Sequence, residues 1–354
     1  MKVACSSCGK SYSIPDEKLP MGKKVSFPCP NCKEKIKLDL RPKEADLDNV
    51  TSELSAPEVL NPEKKKQSDE LKERILKTLD DLPVMPQIVL KAREIMADPN
   101  SGVKDVVKIL ETDQAITTKI LKVANSAYYG MSGKISTIQH ASVVLGYKVI
   151  GGLITLASSS DLLDRVLDGY GFGSGDLWKH SLSVGIGSRI LASRNNPELS
   201  ETSFSVGLIH DAGKLVLDKY VQERKEEFEE IMEHGRLTFM AAEDKIFGFN
   251  HAEIGFDVCN RWSIPEEIAT AIHYHHTPSS SNNNELAYIV SMADAIVNMA
   301  DTSAKTGGMG AEIEAWMYML DDRTMEFLDL TEEDVKPIMD EIEKSFGEII
   351  GEMA

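Results

Sequence analysis

The chain has 354 residues, 42% of them hydrophobic and 27% charged, with a formal net charge of −18; that is enough for two or three units with a real core. Aromatic content of 6% beside 15 Met favours helices over a β-sandwich. A surface this acidic repels phosphates and excludes nucleic-acid binding over the whole body.

The charge is uneven. Residues 1–40 carry eight Lys against four acids, so a small basic module precedes an acidic body. The module contains Cys5-x2-Cys8 and Cys29-x2-Cys32, four of the five cysteines of the chain. Two such knuckles can each offer two thiolates to one tetrahedral ion. The spacing predicts a small β-type zinc ribbon over 1–40, with Zn²⁺ supplying folding energy that so short a chain cannot find in its own core. The alternatives are a redox dithiol pair or unrelated free thiols, and the spacing favours zinc. Lys23, Lys24, Lys33, Lys35 and Lys37 give the module a basic face. The plain reading of that face is solvation; the alternative is contact with nucleic acid or an acidic partner, the one route by which nucleic acid enters this chain's repertoire. Residues 41–67, rich in charge and proline and free of aromatics, are expected to be a flexible linker.

From Ser68 the pattern is helical, with Ser68 as a cap and Leu71, Ile75 and Leu79 on one face. Helices are expected over Ile88, Ala92 and Ile95, over 103–110, and behind a capping Asp113. A turn-rich stretch over 125–136 comes next, then a helix capped by Ser136. The glycine-rich segment 164–175 reads as a loop, 176–193 as a helix, and the Ser/Asn-rich segment 278–284 as a flexible loop. A long apolar helix over 285–300 follows. Thr331-x-x-Asp334 forms a capping box for the last helix, in which Pro337 is expected to kink or delay the regular part. Beyond residue 40 no segment alternates like a strand, so the body is predicted to be all-α, as a domain over 68–300 with a helical extension over 301–354. The start, Met1-Lys2-Val3-Ala4-Cys5, has no apolar signal region, and the apolar stretch 141–157 is broken by Gly146, Lys148, Gly151 and Gly152. No membrane span and a cytoplasmic location are therefore expected.

Seven of the eight histidines lie between positions 180 and 276. The adjacent pair His210-Asp211, followed by Ala212-Gly213-Lys214, offers one nitrogen and one oxygen to an ion, and the Asp can bridge two. Asp176 and His180 share one helix face. His251 stands at a helix start, His275-His276 follow a helix, and Asp294 interrupts an apolar helix where an unpartnered carboxylate would be costly. His140, His234 and His273 read as ordinary histidines, Cys259 as core, Trp178 and Trp262 as packing anchors, and the Met-rich stretch 316–320 as core, with a partner groove as the alternative. On ligand type, His180, His210, Asp211 and Asp294 form a metal-site candidate.

With these motifs in hand, the chain resembles a known family. Leu177-Trp178-Lys179-His180-Ser181, His210-Asp211-Ala212-Gly213-Lys214, His251-x-x-x-Gly255, Trp262-x-x-Pro265, His275-His276 and Asp294 resemble the HD superfamily of metal-dependent phosphohydrolases. Leu82-Pro83-Val84-Met85-Pro86, Asp113-Gln114-Ala115-Ile116-Thr117, Asn125-Ser126-Ala127-Tyr128-Tyr129-Gly130 and Ala141-x-x-x-Leu145-Gly146 narrow the likeness to the HDOD domain, an output module of bacterial signalling proteins. The resemblance implies a regulatory, HD-like helical body that transmits a state to signalling proteins, with a nucleotide or other phosphate-bearing ligand as a candidate binder. By likeness to HD-GYP phosphodiesterases, Asp176 or His180, and His210, Asp211, His251, His275, His276 and Asp294, match ligand positions for Fe, Mn or Zn. Lys214 matches a phosphate-holding lysine. If the site is active, Asp211 and Lys214 are its catalytic residues. The chain departs from HD-GYP proteins after His275-His276, where Thr277-Pro278-Ser279-Ser280 replaces Gly-Tyr-Pro, so recognition of cyclic di-GMP is not carried over.

Overall fold

The computed structural model describes residues 2–4, 11–13, 24–28, 35–39, 62–78, 87–130, 134–235, 238–306, 320–321 and 323–353. The chain divides into two compact units, Met1–Glu63 and Lys64–Ala354.

In the first unit, β1 (Lys2–Ala4) pairs antiparallel with β2 (Ser11–Ser13), and β3 (Lys24–Pro28) with β4 (Lys35–Asp39). Lys2 faces Ser13 and Lys24 faces Asp39. Cys5 and Cys8 fall in sequence between one pair of strands and Cys29 and Cys32 between the other; all four lie outside the described residues, as does 316–319 of the Met-rich stretch.

The second unit is helical; among its described residues the only β feature is an isolated bridge, Leu167 to Phe172. Helix α1 (Pro62–Thr78) starts six residues before Ser68. Ser68 is therefore inside the helix rather than at its cap, and 62–67, expected as linker, form its first turns. Proline suits that start because its missing N–H needs no partner there. Leu71 and Ile75 are buried, and Lys72 Nζ reaches Glu253 Oε2 at 2.8 Å.

A first group of helices follows: α2 (Gln87–Ala97), α3 (Val103–Leu110), α4 (Gln114–Ala124), α5 (Ile138–Leu145) and α6 (Tyr147–Leu163). Asp113 caps α4 as expected, accepting from the N–H groups of Ala115 and Ile116. The cap of α5 is Thr137 rather than Ser136, its hydroxyl accepting from His140 N–H at 3.0 Å. Asn125 closes the turn between α4 and α5: its amide donates to Leu121 O and Ile135 O and accepts from Ile135 N–H.

The site-bearing group comprises α7 (Asp176–Asn195), α8 (Ser200–Ile209), α9 (Lys214–Glu223), α10 (Lys225–Gly235), α11 (Phe239–Phe247), α12 (His251–Arg261), α13 (Glu266–His273) and α14 (Glu285–Thr306). Helix α7 is the central strut, packed by α6, α8, α14 and the last long helix. It meets α8 backbone to backbone: a Cβ on Gly207 would stand 2.7 Å from Gly185 Cα. That crossing needs two glycines, and it sets the end of α8 beside the middle of α7. Helix α14 buries Leu286, Tyr288, Ile289, Val290, Met292 and Ile296 among others, so it is apolar nearly all round, as a core helix must be.

The segment 278–284, expected to be flexible, is pinned: Ser281 Oγ donates to Pro278 O at 2.6 Å and accepts from Asn284 N–H at 3.1 Å. After α15 (Thr324–Phe327), helix α16 (Glu332–Met353) continues through Pro337. Its box holds, Thr331 donating from N–H and Oγ1 to Asp334 Oδ2 at 2.9 and 2.7 Å. Val335, Ile338, Met339 and Ile342 are buried, and the helix packs on α7 and α4. This part of 301–354 belongs to the core of the body rather than to an appendage.

Candidate metal centre

The ligand-type side chains arrive from five separate segments of the chain. His180 projects from the first turns of α7. His210 and Asp211 occupy the turn between α8 and α9, where Ala212 and Gly213 complete the reversal. His251 is the first residue of α12, behind its N-cap Asn250, whose side chain accepts from Ala252 and Glu253 N–H. His275 and His276 follow α13, and Asp294 lies in the middle of α14. The turn and α12 approach closely because residue 213 lacks a side chain: a Cβ there would fall 1.9 Å from His251 O.

These seven residues converge. Their nitrogen and oxygen atoms form three overlapping groups, His180–His210–Asp211, His210–His275–Asp294 and His251–His275–His276. His180 Nε2 is 3.1 Å from Asp294 Oδ1 and 3.7 Å from Asp211 Oδ2; His210 Nε2 is 3.4 Å from Asp211 Oδ2 and 3.7 Å from Asp294 Oδ1. The other oxygen of Asp211 faces the second half of the cluster, 3.4 Å from His251 Nε2. His251 and His276 oppose each other Nε2 to Nε2 at 2.9 Å. Asp176 is not among the groups brought together: its carboxylate is half exposed and accepts Gly173 N–H at 2.9 Å, a local cap at the start of α7. His140 and His273 also stand apart, His273 stacked on Tyr274. Cys259 and Trp262 are both buried, as packing residues.

The hydrogen bonds decide which nitrogens face inward. Nδ1 of His210 lies 2.8 Å from Gly207 O, and Nδ1 of His275 lies 2.6 Å from Ile272 O. Nδ1 of His251 lies 2.6 Å from Glu243 Oε2. Carbonyls and ionised carboxylates only accept, so each Nδ1 carries the proton and each Nε2 turns a lone pair into the cluster. There, His210 Nε2, His275 Nε2 and Asp211 Oδ1 are buried with no hydrogen-bond partner. Buried polar atoms are nearly always satisfied, and three orphans within one cluster of ligand-type side chains are what cations would satisfy. The 2.9 Å spacing of His251 and His276 fits two imidazoles bound at right angles to one ion at about 2.1 Å. The donor set of imidazole and carboxylate suits Zn, Fe or Mn better than Ca or Mg.

The electrostatics agree. Burial opposes the charge on Asp211, but His210, Lys214 and His251 outweigh it and hold the carboxyl well below its ordinary range. Burial likewise opposes the charge on Asp294, and the adjacent imidazoles of His180 and His210 overcome it and hold the carboxyl well below its ordinary range. Burial would lower His210, yet Asp211 and Asp294 raise it: the two carboxylates draw positive charge to this point. His275 is driven well down by burial and by its neighbours His276, His210 and His251, and burial with His251 brings His276 to about 3. Both are thus neutral, the form that ligates metals.

Lys214 Nζ sits 2.6 Å from Asp211 Oδ2. With a side-chain exposure of 14%, against 11% for Asp294 and 9% for His180, it belongs to the rim by which a ligand would reach the cluster. Two further buried residues complete the site. Glu243 on α11 accepts both Nδ1–H and the backbone N–H of His251, and Tyr170 donates its hydroxyl to Glu243 Oε1. Sequence reasoning missed both. Glu243 had a signal, since it falls on the apolar face of Phe239, Ala242, Ile246 and Phe247, as Asp294 does on α14. Tyr170, in the 164–175 loop, had none.

An all-α body with a buried His-Asp turn ringed by further histidines defines an HD-like protein. The chain belongs to the HDOD-domain family, whose profile matches residues 82–278, and a zinc-ribbon domain profile matches residues 1–37. A protein of Shewanella amazonensis SB2B, provisionally named a phosphohydrolase, superposes with a TM-score of 0.61 at 21% identity, over 79% of this chain and 98% of its own. A protein of Marinobacter aquaeolei VT8, provisionally named for signal transduction, gives 0.61 at 18% identity, over 93% and 75%. Both likenesses concern the fold. An uncharacterized protein of Treponema pallidum (strain Nichols) is 26% identical over 230 residues, 65% of this chain and 44% of that protein; the match spans less than half of the relative. Among the described residues no helix is long and apolar enough to cross a membrane.

Proposed function

We propose that this chain is a regulatory module in which a zinc ribbon precedes an HDOD body, and that the body holds one or two divalent cations in its His/Asp cluster and passes a ligand-dependent state to protein partners. The convergence of orphaned Nε2 and carboxylate atoms supports the metal half of this reading. Asp211, with one oxygen toward each half of the cluster, is the residue suited to bridge two ions. The cations would fix α7, the 210–211 turn, α12 and α14 relative to one another, so a phosphate-bearing ligand at the rim formed by Lys214, His180 and Asp294 would bias the packing of the whole body. Names carried by relatives with this fold, for signal transduction and for phosphohydrolysis, are compatible with it. Metal analysis of the full-length chain beside a His210→Ala Asp211→Ala variant tests the proposal. The wild type should hold at least one equivalent of Fe, Mn or Zn more than the variant, with the ribbon's zinc common to both. Equal contents would contradict it.

The second reading is an active metal-dependent phosphohydrolase, favoured by one observation: Lys214 stands at the rim of the converged His/Asp cluster, its Nζ 2.6 Å from Asp211. A bound cation would supply a water of lowered pKa. Asp211 would orient at that centre, and Lys214 would hold charge on the phosphoryl oxygens. Hydrolysis of bis(p-nitrophenyl) phosphate and of cyclic dinucleotides, compared between wild type and the same variant, separates the readings. Equal rates in the two proteins would remove the enzyme.

A further inference from the structure

The inward-facing imidazoles are not held alike. Backbone carbonyls hold Nδ1 of His210 and His275, whereas a carboxylate holds Nδ1 of His251. A carbonyl fixes a tautomer; a carboxylate fixes it and also raises the basicity of the opposite nitrogen. The difference falls where charge is scarce. Two of the three ligand groups contain Asp211 or Asp294, while His251–His275–His276 contains imidazoles alone and meets a carboxylate of the cluster through Asp211 Oδ1, 3.4 Å from His251 Nε2. Glu243 lies directly behind that group, fully buried, with Oε2 on His251 and Oε1 on the Tyr170 hydroxyl. Tyr170 is itself fixed: its neighbour Gly169 donates N–H to Asp218 Oδ1 at 2.8 Å, and a Cβ on Gly169 would stand 2.4 Å from Asp218 O. The 164–175 loop is thereby seated on α9, the helix that begins at Lys214.

We infer that Glu243, locked by Tyr170, is a positioning residue that adds negative charge behind the half-site of His251, His275 and His276, so that cation loading there depends on Glu243 while loading at the His180–His210–Asp211 half does not. This rests on the metal reading and deepens it. A merely structural role is separable, because Glu243 also accepts the first N–H of α12 at 2.9 Å. The amide oxygen of Glu243→Gln can keep that bond while the charge is lost, its NH2 then donating to the Tyr170 hydroxyl oxygen in place of the present bond.

The test is stepwise Mn²⁺ titration of the full-length chain with its ribbon zinc-loaded, read by free Mn²⁺ in electron paramagnetic resonance. Wild type should take up Mn²⁺ in two steps. Glu243→Gln should weaken one step by about 10- to 100-fold and leave the other in place, with the cation-free melting temperature unchanged. Tyr170→Phe should weaken the same step by a smaller factor, and it carries the test if Glu243→Gln does not fold. Unaltered steps in the folded variants, or equal weakening of both, would overturn the inference. A wild-type chain that takes up no Mn²⁺ would instead overturn the metal reading beneath it, a failure visible without any variant.

Discussion

Beside the cluster, Asp244 shows how burial and neighbouring charge set one residue's contribution to stability. Burial, reinforced by Glu253 and Glu243, pushes its carboxyl up to about 6 against the hydrogen bond from Asn250. An unfolded Asp titrates near 3.8. The folded state therefore retains the proton longer, and the contribution of Asp244 is fully present below pH 3.8 and lost as pH rises to about 6. Asparagine imitates the protonated form and its oxygen can still accept from Asn250. Asp244→Asn should thus match wild type near pH 3.8 and exceed it by about 1–3 kcal/mol above pH 6, as read by urea unfolding at a series of pH values. A constant difference across that range would contradict the assignment. Nearby, Glu243 and Asp211 are buried too, yet both are held below their ordinary range by cationic or imidazole partners. Burial alone does not fix the sign of a shift; the partner does.

At the level of elements, the site depends on how closely a turn can approach a helix. Gly213 leaves room for the carbonyl of His251, and any side chain there must move the 210–213 turn away from α12. Gly213→Ala should cost about 1–3 kcal/mol by overpacking and lower cation uptake as Asp211 withdraws from His251. Thermal melting and metal content measured together check this, and an alanine variant with normal stability and full metal content would refute the close-approach argument. Much of the element order was legible from local chemistry. Asp113, Thr331-x-x-Asp334 and the nearly continuous apolar run over 285–300 are local features, so sequence alone exposes them. The misreadings were also local: Ser68 lies inside α1 because Pro62 opens the helix earlier, and Thr137 takes the capping role from its neighbour Ser136. The segment 278–284 looked mobile by composition but is closed by hydrogen bonds through Ser281. What sequence could not show was long-range. The Gly185–Gly207 crossing, the Tyr170–Glu243–His251 chain and the burial of α16 against α7 pair residues far apart in sequence. No spacing rule links them.

For the molecule as a whole, the HDOD assignment and the zinc-ribbon match divide the chemistry between a small basic module and a large acidic body. The seven ligand-type residues named from sequence are scattered over more than a hundred positions, and three helices and two turns bring them to one point. Asp176, the eighth, is half exposed and caps its own helix. In the body, five imidazoles and two carboxylates are gathered under a core of aliphatic helices, an arrangement that costs desolvation unless a cation repays it. The most direct test of that claim is anomalous diffraction at the Fe, Mn and Zn edges from crystals of the full-length chain. The account predicts an anomalous peak about 2.0–2.2 Å from His210 Nε2 and an oxygen of Asp211. Crystals that show metal at the ribbon and none among His180, His210, Asp211 and Asp294 would contradict it.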